Sequence, residues 1–420
     1  MSKTLNECCF FQEGYVNPPQ DKKEYFDGNI KWLRSLDLNN SFVYETSRTL
    51  TEKGYNSAGK SAYMFPADTI AISKSGTVGE LGILKDTMCG NRAIIDIQVN
   101  GSKADLLYVF YLLRYKKKEI ISKAVGSIQK NLYCSALGTI ELCHDDINEQ
   151  KRISGVLGSI DEKIRNNNTI NDELETMART IYNYWFLQFE FPDENGKPYK
   201  SSGGKMVWNE ELKRDIPDGW EPCHIRDCIK HINTGLNPRD NFKLGKGSIR
   251  YITVKNLTTN GTIDFTSCDV IDEEARAIVH RRSDVSKGDI LFASIAPLGR
   301  CVIVQENPVD WDINESVFSI RPDTDKVSTE HLYMFFMSDY FIKKAEHNST
   351  GSVFSGIRVS TLEDMYILLP PPAIRDKFKS AVADILYKKY LNDQESQELA
   401  SLRDFLLPLL MNGQVTFKGE

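Results

Sequence analysis

The sequence has no apolar run that could span a lipid bilayer. A membrane-spanning helix needs about 18–20 consecutive apolar residues, and the 420 residues contain no such run. The first residues, MSKTLNECCFF, also lack the small-residue cleavage site that follows the apolar core of a signal peptide. We therefore expect a cytoplasmic protein with no membrane partner.

The sequence also lacks an excess of basic residues and a regular cysteine pattern. Its formal net charge of −6 argues against a strongly basic protein that coats nucleic acid non-specifically. Short basic runs at residues 114–118, 281–282 and 343–344 still allow local basic surfaces. The nine cysteines have no repeated spacing, which indicates reduced thiols rather than a disulfide framework. The length and the ordinary apolar content predict a globular protein with two or more domains.

A convincing nucleotide-binding motif is missing as well. Residues 54–61, GYNSAGKS, match the pattern G-x-x-x-x-G-K-[ST]. A phosphate-binding loop needs a buried strand before it and a helix after it, whereas the polar TLTEK precedes this segment and YMFP, with its proline, follows it. An enzyme that binds nucleotide through Lys60 and Ser61 is therefore only an alternative interpretation.

Other reactive groupings are equally incomplete. The segment NPPQ at residues 17–20 lacks the aromatic residue that completes the N-P-P-aromatic motif of amino-methyltransferases. Cys223, His224, Cys228 and His231 do not have the spacing of a standard zinc site. Six scattered histidines give no Ser-His-Asp or Cys-His arrangement. We expect no catalytic residue, no metal and no bound cofactor in this chain.

What the sequence does contain is a long, proline-free amphipathic segment from residue 147 to residue 185. Its apolar residues recur every three or four positions, which predicts one stripe on a helix about 57 Å long. A polar stretch, RNNN at residues 165–168, weakens the middle of the stripe. The apolar positions are Ile153, Leu157, Ile160, Ile164, Ile170, Leu174, Met177, Ile181 and Trp185.

The same pattern returns at a constant offset in residues 372–410. Each copy alone has an apolar face with nothing to cover it, so the two helices are predicted to pack on each other as a coiled coil. A purely structural coiled-coil connector is the second alternative interpretation. The paired positions are Ile153 and Phe378, Leu157 and Val382, Ile160 and Ile385, Leu174 and Leu399, Met177 and Leu402, Ile181 and Leu406, and Trp185 and Leu410.

The stretch before each long helix is repeated too. Residues 28–33, GNIKWL, resemble residues 247–252, GSIRYI, and Asn91 takes the place of Asn314 in INESVFSI. Residues 189–204 are rich in Pro, Gly and Ser and are predicted to form a linker. The predicted segments are an α+β domain at 1–147, a helix at 148–190, a second α+β domain at 191–371 and a second helix at 372–413.

Polar, glycine-containing loops lie at matching places in both copies. Side chains of Lys, Arg, Gln, Asn, Ser and Thr can reach phosphates and base edges, although composition alone favours ordinary solvated loops. The second copy has Ala296-Pro297 where the first has Ser75-Gly76, so the loops are expected to differ there. The candidate DNA-binding residues are Lys74, Ser75, Thr77, Arg92, Gln129, Lys130, Asn131, Arg300, Ser352 and Arg358.

Taken in order, these segments resemble the specificity subunit of type I restriction-modification systems, over nearly the whole chain. The resembling segments of the first half are KKEYFDGNIKWLRSLDL, DTIAISKSGTVGELGIL, GSIQKNLYCSALGTIEL and NEQKRISGVLGSIDEKI. Those of the second half are IPDGW, KGDILFASIAPLGRCVIV, WDINESVFSIRP, STGSVFSGIRVSTLEDMYILLPPP and LRDFLLPLLMNGQV.

The resemblance implies an α+β fold with two similar target-recognition domains, each followed by a long helix, the two helices being packed as an antiparallel coiled coil. Each domain would read one half of a split double-stranded DNA site through the major groove, and the helices would set the separation. The family has no catalytic residues of its own. It docks two methyltransferase subunits, which bind S-adenosylmethionine, and restriction subunits, so S-adenosylmethionine, ATP and Mg are expected on the partners.

Overall fold

The chain forms two compact units. The computed structural model describes residues 3–126, 130–347 and 356–417. Unit 1 combines Met1–Arg165 with Ser396–Glu420, and unit 2 is Asn166–Glu395. The division between the units falls inside both long helices, so each unit contains a globular part and one end of each helix.

Unit 1 is built from short strands and short helices that precede a long helix, whose second half belongs to unit 2. In chain order the elements are α1 (Leu5–Cys8), β1 (Cys9–Glu13), β2 (Phe26–Leu33), β3 (Ser41–Val43), β4 (Thr49–Leu50), α2 (Glu52–Tyr55), β5 (Met64–Phe65), β6 (Thr69–Ser73), β7 (Leu81–Leu84), β8 (Met88–Gly90), β9 (Ile94–Val99), α3 (Leu106–Tyr115), α4 (Lys117–Lys123), α5 (Cys134–Leu137) and α6 (Ile147–Tyr182).

The larger sheet of unit 1 has the order β1-β9-β6-β7-β3, and the smaller sheet has the order β4-β2-β8-β5. The central strand β6 is buried at all five positions, which explains its nearly continuous apolar sequence. Helix α3 starts at Leu106, because the side chain of Asp105 accepts a hydrogen bond from the Tyr108 amide at 2.9 Å. The buried face of α3 joins Ile70 and Ile72 in one core.

Unit 2 contains the second set of elements. In chain order they are β10 (Met206–Asn209), β11 (Arg214–Pro217), β12 (Glu221–His224), α7 (Ile225–Cys228), β13 (Ile229–Thr234), β14 (Ile249–Ile252), β15 (Asp269–Ile271), α8 (Glu273–Ser283), β16 (Ile290–Ala293), β17 (Cys301–Ile303), β18 (Trp311–Ile313), β19 (Val317–Pro322), α9 (Thr329–Phe336), α10 (Asp339–His347), α11 (Val359–Glu363), β20 (Tyr366–Leu369) and α12 (Pro372–Met411).

Unit 2 repeats the frame of unit 1. Its main sheet has the order β13-β19-β16-β17, its second sheet has the order β15-β14-β18, and β10-β11 and β12-β20 form two-stranded sheets. In each unit a four-residue helix leads into the edge strand of the main sheet, α1 into β1 and α7 into β13. That edge strand pairs antiparallel with β9 in unit 1 and with β19 in unit 2. The predicted duplication is therefore confirmed.

The long helices α6 and α12 run antiparallel within unit 2. The Asn167 side-chain amide lies 3.4 Å from the Asn392 carbonyl oxygen, and farther along α6 the Tyr182 ring lies 6.2 Å from the Phe378 ring. The residue number on α12 thus falls as the number on α6 rises. The core of unit 2 includes the residues at this end of the helix pair, Ala178, Tyr182, Trp185 and Phe378.

The helix ends in unit 1 are antiparallel as well. The Arg403 guanidinium contacts the Asp161 carboxylate at 2.6 Å, and His144, just before α6, lies 2.9 Å from the Leu410 carbonyl oxygen near the end of α12. Leu157 and Leu407 are buried together in the core of unit 1. The predicted coiled-coil pairing is therefore present in each unit.

The contact face of α6 in unit 2 passes through asparagines rather than through all of the predicted apolar positions. Ile170 and Met177 are 41% and 53% exposed, whereas Asn167 and Asn171 are 1% and 3% exposed. Leu402, the repeat of Met177, is 46% exposed in unit 1. The prediction was wrong at these three apolar positions. The contact positions of a coiled coil recur about every 3.5 residues. The buried asparagines of α6 have this spacing, whereas Ile170 and Met177 do not.

The buried asparagines form a hydrogen-bonded network. Asn392 donates to the Asn171 side-chain oxygen at 2.9 Å, and Asn171 donates to the Asp393 carboxylate at 2.8 Å. Burial raises the pKa of Asp393 to about 6. Asn167 donates to the Glu395 carboxylate at 2.8 Å. Buried asparagines in a coiled coil favour one register, because a shifted pairing would leave the amides without partners.

The segment predicted to be a linker is packed against unit 2. Phe189 and Phe191 are 2% and 4% exposed, and Phe191 stacks on Tyr199 with a ring separation of 4.6 Å. Trp220 lies 5.0 Å from the Phe191 ring. The prediction of a linker was wrong, because two aromatic side chains anchor a segment whose composition otherwise resembles a flexible connection.

Among the described residues, no helix combines the length and apolarity that a membrane crossing requires.

The asparagine network gives a stability prediction. We expect Asn171→Ala to lower the free energy of unfolding by about 1–3 kcal/mol, because it leaves the polar groups around Asn392 and Asp393 buried without their partner. Asn168→Ala is the matched control, since Asn168 is exposed on the same helix and gains the same helix propensity. Urea unfolding followed by circular dichroism measures both. Equal unfolding free energies for the two variants would contradict a structural role for the network.

Candidate nucleic-acid interface

Two of the predicted loops of unit 1 lie side by side. The Leu132 amide donates to the Lys74 carbonyl at 2.8 Å, and Ser75 forms an isolated β-bridge with Asn131. The Lys74 amide in turn donates to the Ala93 carbonyl at 2.7 Å. The backbone therefore brings the β6–β7 loop, the β8–β9 turn and residues 130–132 to one edge of the main sheet, which we call the loop edge.

The predicted residues on this loop edge differ in exposure. Thr77, Arg92 and Lys130 are exposed, whereas Ser75 is half-buried. Lys74 is held by an ion pair with Glu13 at 2.6 Å, and its side chain retains 16% exposure. Gln129 lies outside the described residues. Thr77, Arg92 and Lys130 are thus the predicted side chains of unit 1 that extend into solvent.

Unit 2 has the corresponding loop edge. The Ile357 amide donates to the Ser294 carbonyl at 2.8 Å, and Ile295 forms a β-bridge with Gly356, so the backbone contact survives the Ala296-Pro297 substitution. Arg358 follows Ile357 and is exposed. Ser352 lies outside the described residues.

Arg300 is engaged within its own unit. Its guanidinium donates to the carbonyl oxygens of Pro297 and Leu257, each at 3.3 Å, and burial lowers its pKa. The bond to Leu257 ties the β16–β17 loop to the segment that follows β14. The geometry therefore gives Arg300 a local structural contact, in contrast to the exposed Arg358.

Matching hydrogen bonds define which residues occupy equivalent places on the two loop edges. Lys74 corresponds to Ser294, because their amides donate to Ala93 and Ser316 at 2.7 Å and 3.0 Å. Arg92 and Glu315 correspond because each directly precedes the acceptor of this bond. Tyr133 and Arg358 correspond because each directly follows the residue whose amide donates to the carbonyl of Lys74 or Ser294. Sequence reasoning did not single out Tyr133 or Glu315. The alignment of Asn91 with Asn314 was the signal that could have identified Glu315, which follows the second asparagine.

A buried polar pair within the main sheet has exchanged strands between the units. In unit 1 the acid is Asp96 on β9, fully buried beside Thr69 on β6. Burial raises the pKa of Asp96 to about 6, against the opposing hydrogen bonds from Thr69 and Gln98, and one oxygen of this carboxylate has no hydrogen-bond partner.

In unit 2 the acid stands on the other strand of the pair. Asp289, just before β16, accepts a hydrogen bond from Ser319 on β19 at 2.9 Å. Arg321 contacts the same carboxylate at 2.7 Å. The two units therefore keep one buried acid at this place, but only unit 2 provides it with a cation.

The segment that matches a phosphate-binding loop does not have that structure. Residues 52–55 form helix α2 and residues 56–61 continue as a 3₁₀ helix. The strand before it, β4, has two residues, and strand β5 follows where a phosphate-binding loop would have a helix. The alternative interpretation as a nucleotide-binding enzyme through Lys60 and Ser61 is therefore wrong. No cluster of three or more potential metal ligands occurs in the ranges that the structure describes.

Comparison with known proteins agrees with this duplicated frame. The family model described as "Type I restriction modification DNA specificity domain" matches residues 2–176 and 217–401. The two matched stretches contain the two copies and cover most of the chain. The chain belongs to this family, which confirms the resemblance seen in the sequence.

Named relatives and a solved structure match between two thirds and the whole of the chain. The chain is 26% identical over 407 residues to the specificity subunit of the type I restriction enzyme MjaIX of Methanocaldococcus jannaschii, covering 96% of this chain and 90% of the relative. It is 22% identical over 330 residues to the HindI specificity subunit of Haemophilus influenzae, covering 67% and 70%. The crystal structure of a type I restriction-modification S subunit from M. genitalium has the same fold, with a TM-score of 0.57, 16% identity and coverage of 100% and 96%.

The buried acid of unit 1 gives a pH-dependent prediction. Because the pKa of Asp96 is higher in the folded state than its ordinary value of 3.8, the folded state binds more protons, and stability falls as pH rises from about 4 to about 6. Asp96→Asn removes the ionisation. We expect the variant to be more stable than the wild type at pH 7.5, by about 2–3 kcal/mol, and to lose this advantage at pH 4.

Asp289→Asn is the matched control for Asp96→Asn. It removes the carboxylate that pairs with Arg321, so we expect it to lower stability at pH 7.5. Thermal unfolding at pH 4, 5, 6 and 7.5 measures both variants. A pH-independent difference between Asp96→Asn and the wild type would contradict the role assigned to Asp96.

Proposed function

We propose that each unit of this chain reads one half of a split duplex DNA site and that the whole chain gives a type I restriction-modification complex its sequence specificity. The observation that carries the proposal is the repeated loop edge. The same backbone contacts recur in both units, as the donations to Lys74 and Ser294 show, while the exposed residues differ. Two copies of one scaffold with different exposed residues suit two different half-sites.

We assign the methylation and restriction reactions to partner subunits. Two methyltransferase subunits would bind S-adenosylmethionine and methylate the site, and restriction subunits would use ATP and Mg. This chain would contribute no catalytic residue. The segment that matches a phosphate-binding motif agrees with this assignment, because its residues are part of α2 and of the 3₁₀ helix that follows it.

Charge supports a binding mode that depends on local contacts. With a formal net charge of −6, the chain has no overall attraction for a polyanion. We expect weak, salt-sensitive binding of duplex DNA by the chain alone and tighter, sequence-selective binding by its complex with a methyltransferase partner.

The experiment for this proposal is methylation mapping. The chain is co-expressed with a methyltransferase partner in a host without other adenine methylation, and the modified sites are sequenced. A single two-part site, methylated in both halves and lost when the chain is omitted, is the expected result. Methylation at undefined sequences, or methylation that does not require the chain, would overturn the proposal.

Charge reversal on the loop edges tests where DNA binds. We expect Lys130→Glu and Arg358→Glu each to weaken duplex binding by the complex roughly tenfold and to reduce the salt dependence by about one ion, because each removes a cation near phosphate. Lys197→Glu is the control, since Lys197 is an exposed cation on a turn of unit 2 outside the loop edge. Affinity is measured by fluorescence anisotropy at several salt concentrations. If all three variants bind alike, the loop edges are not the DNA-binding surface.

A further inference from the structure

One turn on each loop edge is built in the same way and presents a single exposed residue. In unit 1 the turn joins β8 to β9, and the side-chain oxygen of Asn91 accepts a hydrogen bond from the Ala93 amide at 2.9 Å. In unit 2 the turn joins β18 to β19, and Asn314 accepts from the Ser316 amide at 3.1 Å. An asparagine that bonds the backbone two residues later makes a defined turn, so the residue between is held in one direction.

Each turn is also anchored on both sides by the backbone. In unit 1 the Asn91 amide donates to the Leu33 carbonyl at 3.0 Å, and the Ala93 carbonyl accepts from the Lys74 amide at 2.7 Å. A β-carbon at Gly14 would lie 2.3 Å from the Asn91 carbonyl oxygen. The edge strand therefore approaches the turn so closely that only glycine fits there.

The anchors of the second turn match those of the first. The Asn314 amide donates to the Ile252 carbonyl at 2.8 Å, and the Ser316 carbonyl accepts from the Ser294 amide at 3.0 Å. A β-carbon at Gly235 would lie 1.7 Å from the Ile313 carbonyl oxygen. Both turns are therefore rigid for the same reasons, and their shape does not depend on the residue that they present.

The presented residues have opposite charges. Arg92 stands at this place in unit 1 and Glu315 in unit 2, and both are exposed. A cation on a DNA-binding edge could serve phosphate or base. A carboxylate is repelled by phosphate, and the direct contact with DNA that favours it is a hydrogen bond accepted from a base amino group.

We propose that Arg92 and Glu315 are equivalent specificity-determining residues, each reading a base of its own half-site from the same rigid turn. The Arg92 guanidinium donates two hydrogen bonds to O6 and N7 of a guanine, and the Glu315 carboxylate accepts from the N4 amino group of a cytosine. This inference rests on the proposed function and adds the two residues and the base class that each selects.

The test uses the complex of the full chain with its methyltransferase partner and measures relative methylation of every single-base variant of the wild-type site. Arg92→Lys keeps the positive charge but cannot form the bidentate hydrogen bonds of the guanidinium. The preference for guanine at one position of one half-site therefore falls about 5- to 150-fold. Glu315→Gln gives an amide that pairs with adenine, so one position of the other half-site changes from cytosine to adenine. The remaining positions keep their preferences.

Charge-matched controls and the opposing outcomes keep the test decisive. Lys197→Ala and Glu194→Ala change an exposed cation and an exposed acid on one turn of unit 2, and they leave every base preference unchanged. A wild-type complex with a defined site whose preferences stay within twofold in Arg92→Lys and Glu315→Gln overturns the inference. So does a uniform loss of methylation by either variant without a change in preference. A wild-type complex with no defined two-part site instead overturns the proposed function itself.

Discussion

The antiparallel pairing of the two long helices is the interaction on which the rest of each unit depends. Neither helix can bury its contact face alone, because its apolar stripe is longer than one small globular domain could cover. In unit 1 the helix residues Leu157 and Leu407 are part of the same core as the sheet residue Ile70. In unit 2 Ala178 and Phe378 join the core beneath the main sheet. The recognition frame of each unit is therefore built on the helix pair and does not pack as a separate domain.

The pairing is conserved between the repeats in geometry but not in chemistry. In unit 1 Asp161 pairs with Arg403 at 2.6 Å, whereas the repeat-related places in unit 2 are occupied by Leu386 and Ala178, both buried. The polar network around Asn171 costs desolvation, which a fully apolar contact face would avoid, and in return favours one register. In each unit the helix contact face combines apolar side chains with an ion pair or an amide network, and these polar groups are paired in only one register.

The sequence predicted the duplicated frame and the long helices because both leave periodic signals, such as the apolar spacing around Leu157 and the Asn91–Asn314 alignment. It failed where burial does not follow apolarity. The position of Met177 looks like the interior of a coiled coil, yet Asn171 is buried instead, because helix phase is decided by the partner helix. Residues 189–204 looked like a linker, since composition does not show that their aromatic side chains find a core. The loop edge needed the structure, because three distant segments meet there.

The two loop edges show that one backbone frame can present different side chains. The buried acid of the main sheet stands on β9 as Asp96 in unit 1 and before β16 as Asp289 in unit 2, yet the turns of the loop edges keep the same backbone hydrogen bonds. Because amides and carbonyls fix those turns, the side chains at their tips contribute little to folding and can change sign. A chain with a net charge of −6 has no general attraction for DNA, so the proposed function relies on local contacts such as those at the turn tips. The shared backbone hydrogen bonds thus leave the two units free to carry different side chains at the same place, as the proposed base readout requires.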